Sequence, residues 1–184
     1  MPERLSALFE KMVNATPNAA FLHWRGETYS YADVAARVDG TAAAIADVVS
    51  GRCVGLIARN TPAFVIGYLA ILEAGGRVVP LNPRLGPEEV RYVLGDAHVP
   101  LVLCADGCDS AVRSIAPDAA RVTLLDSPDI LNAVSIPGEL QGAPPTFPEN
   151  LADVAVCIYT SGTTGRPKGA LLTHRALMHN ARMA

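Results

Sequence analysis

Apolar positions in the first part of the chain follow two spacings, one typical of helices and one typical of strands. Residues 4–14 repeat apolar side chains at helical intervals and predict an amphipathic helix. Two short apolar runs on either side of residues 25–27 predict a β-hairpin. The Ser30-x-x-Asp33 pattern is a capping box, and it predicts a second amphipathic helix that ends at Gly51.

Farther along, buried-strand runs alternate with helical segments. The predicted strands are 53–58, 78–79, 101–104 and 122–125, and the predicted helices are 62–74, 87–95 and 110–116. We expect Thr61 to be the N-cap of the first of these helices, with Pro62 in its first turn and a wide apolar face between residues 64 and 72. Pro80 and Pro83 are expected to break the strand that precedes them.

This alternation favours right-handed βαβ units, so the predicted fold class is α/β, with a mostly parallel sheet and helices on both faces. Residues 127–152 interrupt the alternation with five prolines and two glycines. We expect an exposed, mobile connector there, with one short helix capped by Ser127-Pro128. The predicted division is an N-terminal α/β subdomain over 1–126, the connector over 127–152, and a strand–loop–strand unit with the beginning of a helix over 153–184.

Composition narrows the class of protein. The 184 residues suit one sizeable domain or one domain and part of another. The net charge of −3 provides no basic footprint for nucleic acid. The N-terminal residues lack the apolar core of a signal peptide, and the longest apolar run, 64–72, is too short to span a bilayer. We therefore expect a cytoplasmic protein without a transmembrane segment.

The cysteines and histidines indicate no metal or catalytic centre. Cys53 and Cys157 lie inside apolar runs and Cys104 ends one, so buried free thiols are expected. Cys104 and Cys108 have a C-x₃-C spacing, but no second pair or nearby histidine completes a zinc site. The four histidines are scattered and form no recognisable triad.

The stretch from Tyr159 to Gly169, which reads YTSGTTGRPKG, concentrates most of the candidate chemistry. It contains four serine and threonine hydroxyls, three glycines and one lysine, namely Thr160, Ser161, Thr163, Thr164, Gly162, Gly165, Gly169 and Lys168. Glycines let successive backbone N–H groups converge on an anion, and hydroxyls donate to phosphate oxygens or bind Mg²⁺. The ammonium adds a positive charge, and the whole set suits a triphosphate.

The stretch is not a Walker A loop. That pattern requires glycine before its lysine, serine or threonine after it, and a helix that begins there. Pro167 precedes Lys168 here, Gly169 follows it, and an apolar run comes next. We therefore predict a loop between two strands. The competing interpretation is a Gly/Ser/Thr-rich linker without function, in which Lys168 is an exposed tether.

The sequence TSGTTGRPKG resembles the phosphate-binding signature of the adenylate-forming superfamily, which includes acyl-CoA synthetases, the adenylation domains of peptide synthetases, and luciferases. The resemblance extends upstream through the TYSYADV run of residues 28–34 and the LEAG and VPLNP runs of residues 72–75 and 79–83. The PLNP form and the GALLTHR run of residues 169–175 look more like acyl-CoA synthetases than amino-acid adenylation domains.

The resemblance implies a two-step reaction. A carboxylic acid, expected to be a fatty acid, reacts with ATP to give an acyl adenylate and pyrophosphate, and CoA then displaces AMP. It implies that the phosphates contact Thr160, Ser161, Gly162, Thr163, Thr164, Gly165 and Lys168. Thr160 is the first candidate ligand of Mg²⁺, with Ser161 as the alternative. No residue of this chain is assigned as catalytic.

The later motifs of the superfamily have no matching positions, so we expect the N-terminal piece of a longer enzyme that is inactive by itself. Leu177 and Met178 are expected to lack a core, and the exposed apolar surface is expected to cause self-association. Two alternatives stay open. One is a non-catalytic phosphate-binding or dimerising module, and the other is an enzyme that adenylates an amino acid or an aryl acid.

Overall fold

The computed structural model of the protein describes residues 4–125, 131–141, 153–160 and 166–183. Within these ranges the helices are α1 (Leu5–Ala15), α2 (Tyr31–Val49), α3 (Pro62–Glu73), α4 (Pro87–Asp96), α5 (Ser110–Ile115) and α6 (His174–Met183). The strands are β1 (Ala20–Trp24), β2 (Glu27–Ser30), β3 (Cys53–Ile57), β4 (Arg77–Leu81), β5 (Leu101–Ala105), β6 (Arg121–Leu125), β7 (Leu131–Ser135), β8 (Val154–Thr160) and β9 (Lys168–Thr173).

The N-terminal elements confirm the local sequence signals. β1 and β2 form an antiparallel hairpin, whose turn places Arg25 and Gly26 at positive φ, 51° and 86°. The backbone N–H of Asp33 donates to the Ser30 hydroxyl at 3.1 Å, and the Asp33 carboxylate accepts from the N–H of Ser30 at 2.9 Å. This reciprocal pair is the predicted capping box, and it fixes the first turn of α2.

The remaining strands form one seven-stranded sheet in the order β6-β7-β5-β3-β4-β8-β9. β5, β3, β4 and β8 are mutually parallel and form its centre, whereas β7 and β9 run in the opposite direction. The sheet is therefore mixed but mostly parallel, and the predicted α/β fold class is confirmed.

The helices cover the two faces of this sheet. The chain moves from β3 to its neighbour β4 through α3, then returns past β3 to β5 through α4. Right-handed crossovers in opposite directions place α3 and α4 on opposite faces. α2 packs on α3, and α5 packs beside α4. Strands β3 and β5 are buried along their whole length, and this accounts for their uninterrupted apolar sequences.

Helix α3 differs from its prediction in two respects. Pro62 occupies the first turn as expected, but the Thr61 side chain makes no capping hydrogen bond, and its hydroxyl is buried without a partner. The burial extends round the helix and does not follow one apolar stripe, because α3 lies between the sheet and α2. Ile66 and Ala70 are fully buried.

The prediction that Pro80 breaks β4 is wrong, although the strand does end before Pro83. Pro80 lies inside the strand, opposite Leu56 of β3, and the strand continues to Leu81. Pro80 is the penultimate residue of β4 and lies beyond the Val78–Val156 pair that joins β4 to β8, so a missing N–H is tolerated near the end of the strand.

The prediction of an exposed connector is also wrong for its middle part. β7 lies inside the range 127–152, pairs with β5 and β6, and buries Leu131 and Val134. A 3₁₀ turn, Gly138–Leu140, follows it. The apolar residues of β7 are few and are flanked by prolines and glycines, so the sequence pattern did not indicate a strand. The helix expected at Ser127-Pro128 lies outside the described residues, and the division into 1–126, 127–152 and 153–184 stays a prediction.

The C-terminal helix is better packed than the sequence indicates. Met178 is 4% exposed and Leu177 packs against the core, so the expectation that both lack a core is wrong. The Nδ1 atom of buried His174 accepts the N–H of Leu5 at 3.3 Å, which links α6 to α1. Burial lowers the pKa of His174, which keeps the accepting imidazole neutral.

The cysteine prediction is confirmed, since all four cysteines are buried and none of them forms a disulfide. Among the described helices, none is both long enough and apolar enough to cross a membrane.

Candidate functional site

The candidate phosphate loop joins two antiparallel strands, as predicted. β8 pairs with β9 so that Thr160 lies opposite Lys168 and Tyr159 lies opposite Gly169. Lys168 begins a strand, and a helix begins only at His174, so the Walker A alternative is excluded by the local structure.

Two of the predicted phosphate ligands belong to the described residues. Thr160 and Lys168 are both exposed and lie side by side at the open end of the β8–β9 ladder. The other five, Ser161, Gly162, Thr163, Thr164 and Gly165, lie outside the described residues. The paired positions place a hydroxyl and an ammonium at the same end of the hairpin, on opposite stems of the loop.

Helix α4 contacts both stems of this loop. The Tyr159 hydroxyl donates to the Asp96 carboxylate at 2.6 Å, and the Tyr92 hydroxyl donates to the backbone carbonyl of Pro167 at 3.2 Å. The Arg166 guanidinium lies 5.9 Å from the centroid of the Tyr92 ring. Sequence reasoning missed Tyr92 and Asp96, because the contacts span 75 and 63 residues of sequence and no local pattern marks them.

The side chains of Cys157 and Tyr159 leave little room for a side chain at Gly169 on the opposite strand. A Cβ added at Gly169 would lie 2.8 Å from the Cys157 sulfur and 3.3 Å from Cζ of Tyr159. Burial and the hydrogen bond to Asp96 raise the pKa of the Tyr159 hydroxyl, so it stays protonated and donates. Burial also raises the pKa of the Cys157 thiol to about 11, which makes it a poor nucleophile at neutral pH.

A polar cavity of about 570 Å³ opens at the carboxyl ends of β3 and β4. Its polar lining comes from Arg59, Asn60, Asn82 and Arg84, which follow the two strands. The chain reverses its direction of winding between these strands, and in open α/β sheets ligands bind at such a point. Sequence reasoning did not assign these residues, although polar side chains directly after two buried strands are a usable signal.

The described residues contain no group of three His, Cys, Asp or Glu side chains that would bind a metal ion. Exposed Thr160 provides one hard oxygen at the mouth of the loop. A single hydroxyl fits Mg²⁺ when the ion keeps water and takes its other oxygens from phosphates. The donor set therefore suits a metal brought in with a nucleotide better than a resident metal.

Comparisons with known proteins agree on one family. The family model described as "AMP-binding enzyme" matches residues 9–184. The chain is 36% identical over 179 residues to Tyrocidine synthase 3 of Brevibacillus parabrevis, a match that covers 96% of this chain and 3% of that protein. It is also 36% identical over 186 residues to Novobiocin biosynthesis protein H of Streptomyces niveus, with 94% and 29% covered.

A solved structure described as the Klebsiella oxytoca NpsA N-terminal subdomain in complex with 3-hydroxyanthranilyl-AMSN superposes with a TM-score of 0.66. The identity is 21%, and the match covers 94% of this chain and 41% of that chain, so it supports the fold. The chain spans less than a third of the length of the two curated relatives named above.

The sequence-based preference for acyl-CoA synthetases is not supported. Neither curated relative is described as an acyl-CoA synthetase. The two runs that prompted the preference, residues 79–83 and 169–175, form the end of β4 and the strand β9 with its junction to α6. Both runs belong to strands of the sheet and the residues directly after them, and the fold alone does not determine the acid. What the match does establish is that the chain belongs to the AMP-binding enzyme family.

Proposed function

We propose that this chain is the phosphate-binding part of an adenylate-forming ligase that activates an amino acid or an aryl acid. The observation that carries the proposal is the loop between β8 and β9, whose stems place Thr160 opposite Lys168 beside the carboxyl ends of the parallel strands. The curated relatives, such as Tyrocidine synthase 3, support this acid class over a fatty acid.

In the proposed reaction, a carboxylate oxygen of the acid attacks the α-phosphorus of ATP. The bond to the bridging oxygen breaks, pyrophosphate leaves, and an acyl adenylate forms. Negative charge accumulates on the leaving pyrophosphate, so fixed donors and a cation beside the β- and γ-phosphates lower the barrier. The proposed role of Lys168 is to offset this charge.

The other assignments rest on the resemblance of the TSGTTGRPKG run to the phosphate-binding signature of the adenylate-forming superfamily. The hydroxyls of Thr160, Ser161, Thr163 and Thr164 donate to phosphate oxygens, and the N–H groups of Gly162 and Gly165 contribute further donors. Thr160 is the proposed protein ligand of Mg²⁺, which neutralises phosphate charge when it is bound. The guanidinium groups of Arg59 and Arg84 make the adjacent cavity attractive to the anionic parts of the substrates.

The experiment is acid-dependent exchange of labelled pyrophosphate into ATP, measured on the full product of the reading frame. The acid panel contains amino acids, aryl acids and fatty acids. We expect exchange with an amino acid or an aryl acid, and its loss in Lys168→Ala. Lys11→Ala is the matched control, because Lys11 is the other lysine of the chain and lies on α1.

Two results would contradict the proposal. Exchange that depends on a fatty acid, followed by formation of a CoA thioester, would restore the acyl-CoA ligase interpretation and its CoA acceptor. No exchange with any acid, together with retained binding of ATP, would favour a non-catalytic nucleotide-binding module.

A further inference from the structure

The two stems of the phosphate loop contact the same face of α4. Tyr92 and Asp96 are four residues apart on this helix, a spacing that places their side chains one above the other. Asp96 accepts from Tyr159, the penultimate residue of β8, and Tyr92 donates to Pro167, the residue before β9. One helix face therefore contacts the chain on both sides of the loop.

Helix α4 is a firm support for these contacts. Val90, Val93 and Leu94 are 0–2% exposed and belong to the main hydrophobic core. The N–H of Gly86 donates to the Glu89 carboxylate at 2.9 Å, which helps to fix the first turn of the helix. The face that carries Tyr92 and Asp96 cannot shift without disturbing that core.

The ring of Tyr159 is held on its other side as well. It lies over Gly169, where an added Cβ would approach Cζ of the ring to 3.3 Å. The hydroxyl end is bonded to α4 while the ring covers the opposite strand of the hairpin. Tyr159 therefore connects β8, β9 and α4 through one side chain.

From this arrangement we propose that Tyr159, Asp96 and Tyr92 are positioning residues of the proposed adenylation reaction. They form a stem clamp that sets the position of Thr160 and Lys168 relative to the phosphates of ATP. Thr160 directly follows Tyr159, and Lys168 directly follows Pro167, so each proposed phosphate contact is one residue from a clamped position. This inference rests on the proposed function of the loop.

The clamp makes a specific kinetic prediction. Because a small displacement of a binding group weakens the interaction that it makes, a loosened clamp reduces the affinity for ATP. We propose no contact between the clamped residues and the acid, so we expect the KM for the acid to stay constant. We expect Tyr159→Phe and Asp96→Ala each to raise the KM for ATP about tenfold, the loss expected when one charge-assisted hydrogen bond no longer holds the geometry.

A conservative variant separates positioning from general damage. Asp96→Asn keeps an oxygen that accepts from Tyr159, and we expect its KM for ATP to stay within about threefold of the unaltered protein, since a neutral hydrogen bond replaces a charge-assisted one. Tyr31→Phe is the matched control, because Tyr31 lies in the aromatic cluster with Phe9 and Phe21, away from the loop. It should leave both KM values unchanged.

A second measurement does not depend on activity. Amide hydrogen exchange of residues 166–173 in the ligand-free protein reports how firmly the β9 stem is held. We expect faster exchange there in Tyr159→Phe and Asp96→Ala, and exchange equal to that of the unaltered protein in Asp96→Asn and Tyr31→Phe.

The outcomes distinguish the clamp from the proposed function. Unchanged exchange at the stem, or an unchanged KM for ATP in both Tyr159→Phe and Asp96→Ala, would overturn the clamp while adenylation by the unaltered protein still stood. No adenylation by the unaltered protein would overturn the proposed function and the positioning role together, and faster stem exchange would then reflect a purely structural contact.

Discussion

Two of the antiparallel strand pairs among the described residues, the first hairpin β1–β2 and the second hairpin β8–β9, are stabilised in different ways. β1 and β2 are joined by the tight turn at Arg25 and Gly26, and Phe21 stacks near Phe9 and Tyr31 at centroid distances of 5.1 and 4.7 Å. β8 and β9 enclose a longer loop, and their stems are bonded to a helix that lies 63 and 75 residues earlier in the chain.

The two hairpins therefore need different amounts of support from the rest of the protein. A tight turn is specified by the backbone preferences of its own residues, so it needs little support from elsewhere. A long loop has many conformations, and fixing each of its backbone residues costs about 1–2 kcal/mol. The tertiary contacts to α4 reduce that cost at the stems of the second hairpin, where the proposed phosphate contacts lie.

The largest expected effect concerns the lysine that only the second hairpin carries. We predict that Lys168→Ala slows adenylate formation about a hundredfold, the usual loss when one preorganised charge-stabilising donor is removed. Transfer of the acyl group from a presynthesised acyl adenylate should not change, because pyrophosphate is absent from that step. Rapid-quench kinetics of the two half-reactions measures both, and equal slowing of both would contradict the assignment.

The next effect concerns the packing of glycine in the second hairpin. We predict that Gly169→Ala lowers the free energy of unfolding by about 1–3 kcal/mol, because its Cβ would lie 2.8 Å from the buried Cys157 sulfur. Cys157→Ala combined with Gly169→Ala should recover part of the loss. Urea denaturation measures the free energy of unfolding of each variant. Gly40→Ala on α2 is the control, because a Cβ added at Gly40 has no neighbouring atom within 4 Å.

A smaller loss is expected from the glycine of the first hairpin, and for a different reason. Gly26 has open space around it but a φ of 86°, so alanine is strained by the backbone and not by a neighbour. We predict that Gly26→Ala costs about 1 kcal/mol of unfolding free energy. A second substitution that creates space beside residue 26 should not restore the lost free energy of unfolding. If it did, Gly26→Ala would be limited by packing, and the two hairpins would not differ as described.

The smallest effect concerns the capping box that follows the first hairpin. Hydrogen bonds from Ser30 lower the pKa of the Asp33 carboxyl, so this contribution to stability is present above the unfolded pKa and is lost as pH falls through the folded one. We predict that Ser30→Ala lowers the thermal midpoint at neutral pH and that the difference narrows at acidic pH. If the difference in thermal midpoint between Ser30→Ala and the unaltered protein grew on acidification, the predicted direction of the pH dependence would be contradicted.

The same contrast, between features specified by neighbouring residues and features that depend on distant contacts, explains what was predictable from the sequence. The capping box at Ser30 and the strand–loop–strand around Lys168 depend on neighbouring residues, and both were predicted. β7 was missed because its few apolar residues stand among prolines, and only its pairing with β5 makes them a strand. The bond between Tyr159 and Asp96 joins two segments whose proximity only the sheet order creates, so no local pattern announces it.

In the proposed reaction a carboxylate attacks the α-phosphorus of ATP at the β8–β9 loop. The most direct test supplies the full product of the reading frame with ATP and an active acid labelled with ¹⁸O in its carboxylate, followed by mass spectrometry of the nucleotide and phosphate products. We predict a labelled acyl adenylate and unlabelled pyrophosphate; when added hydroxylamine takes the acyl group at its carbonyl carbon, the released AMP keeps one labelled oxygen. Label in inorganic phosphate with formation of ADP would instead place the attack at the γ-phosphorus and contradict the proposed reaction.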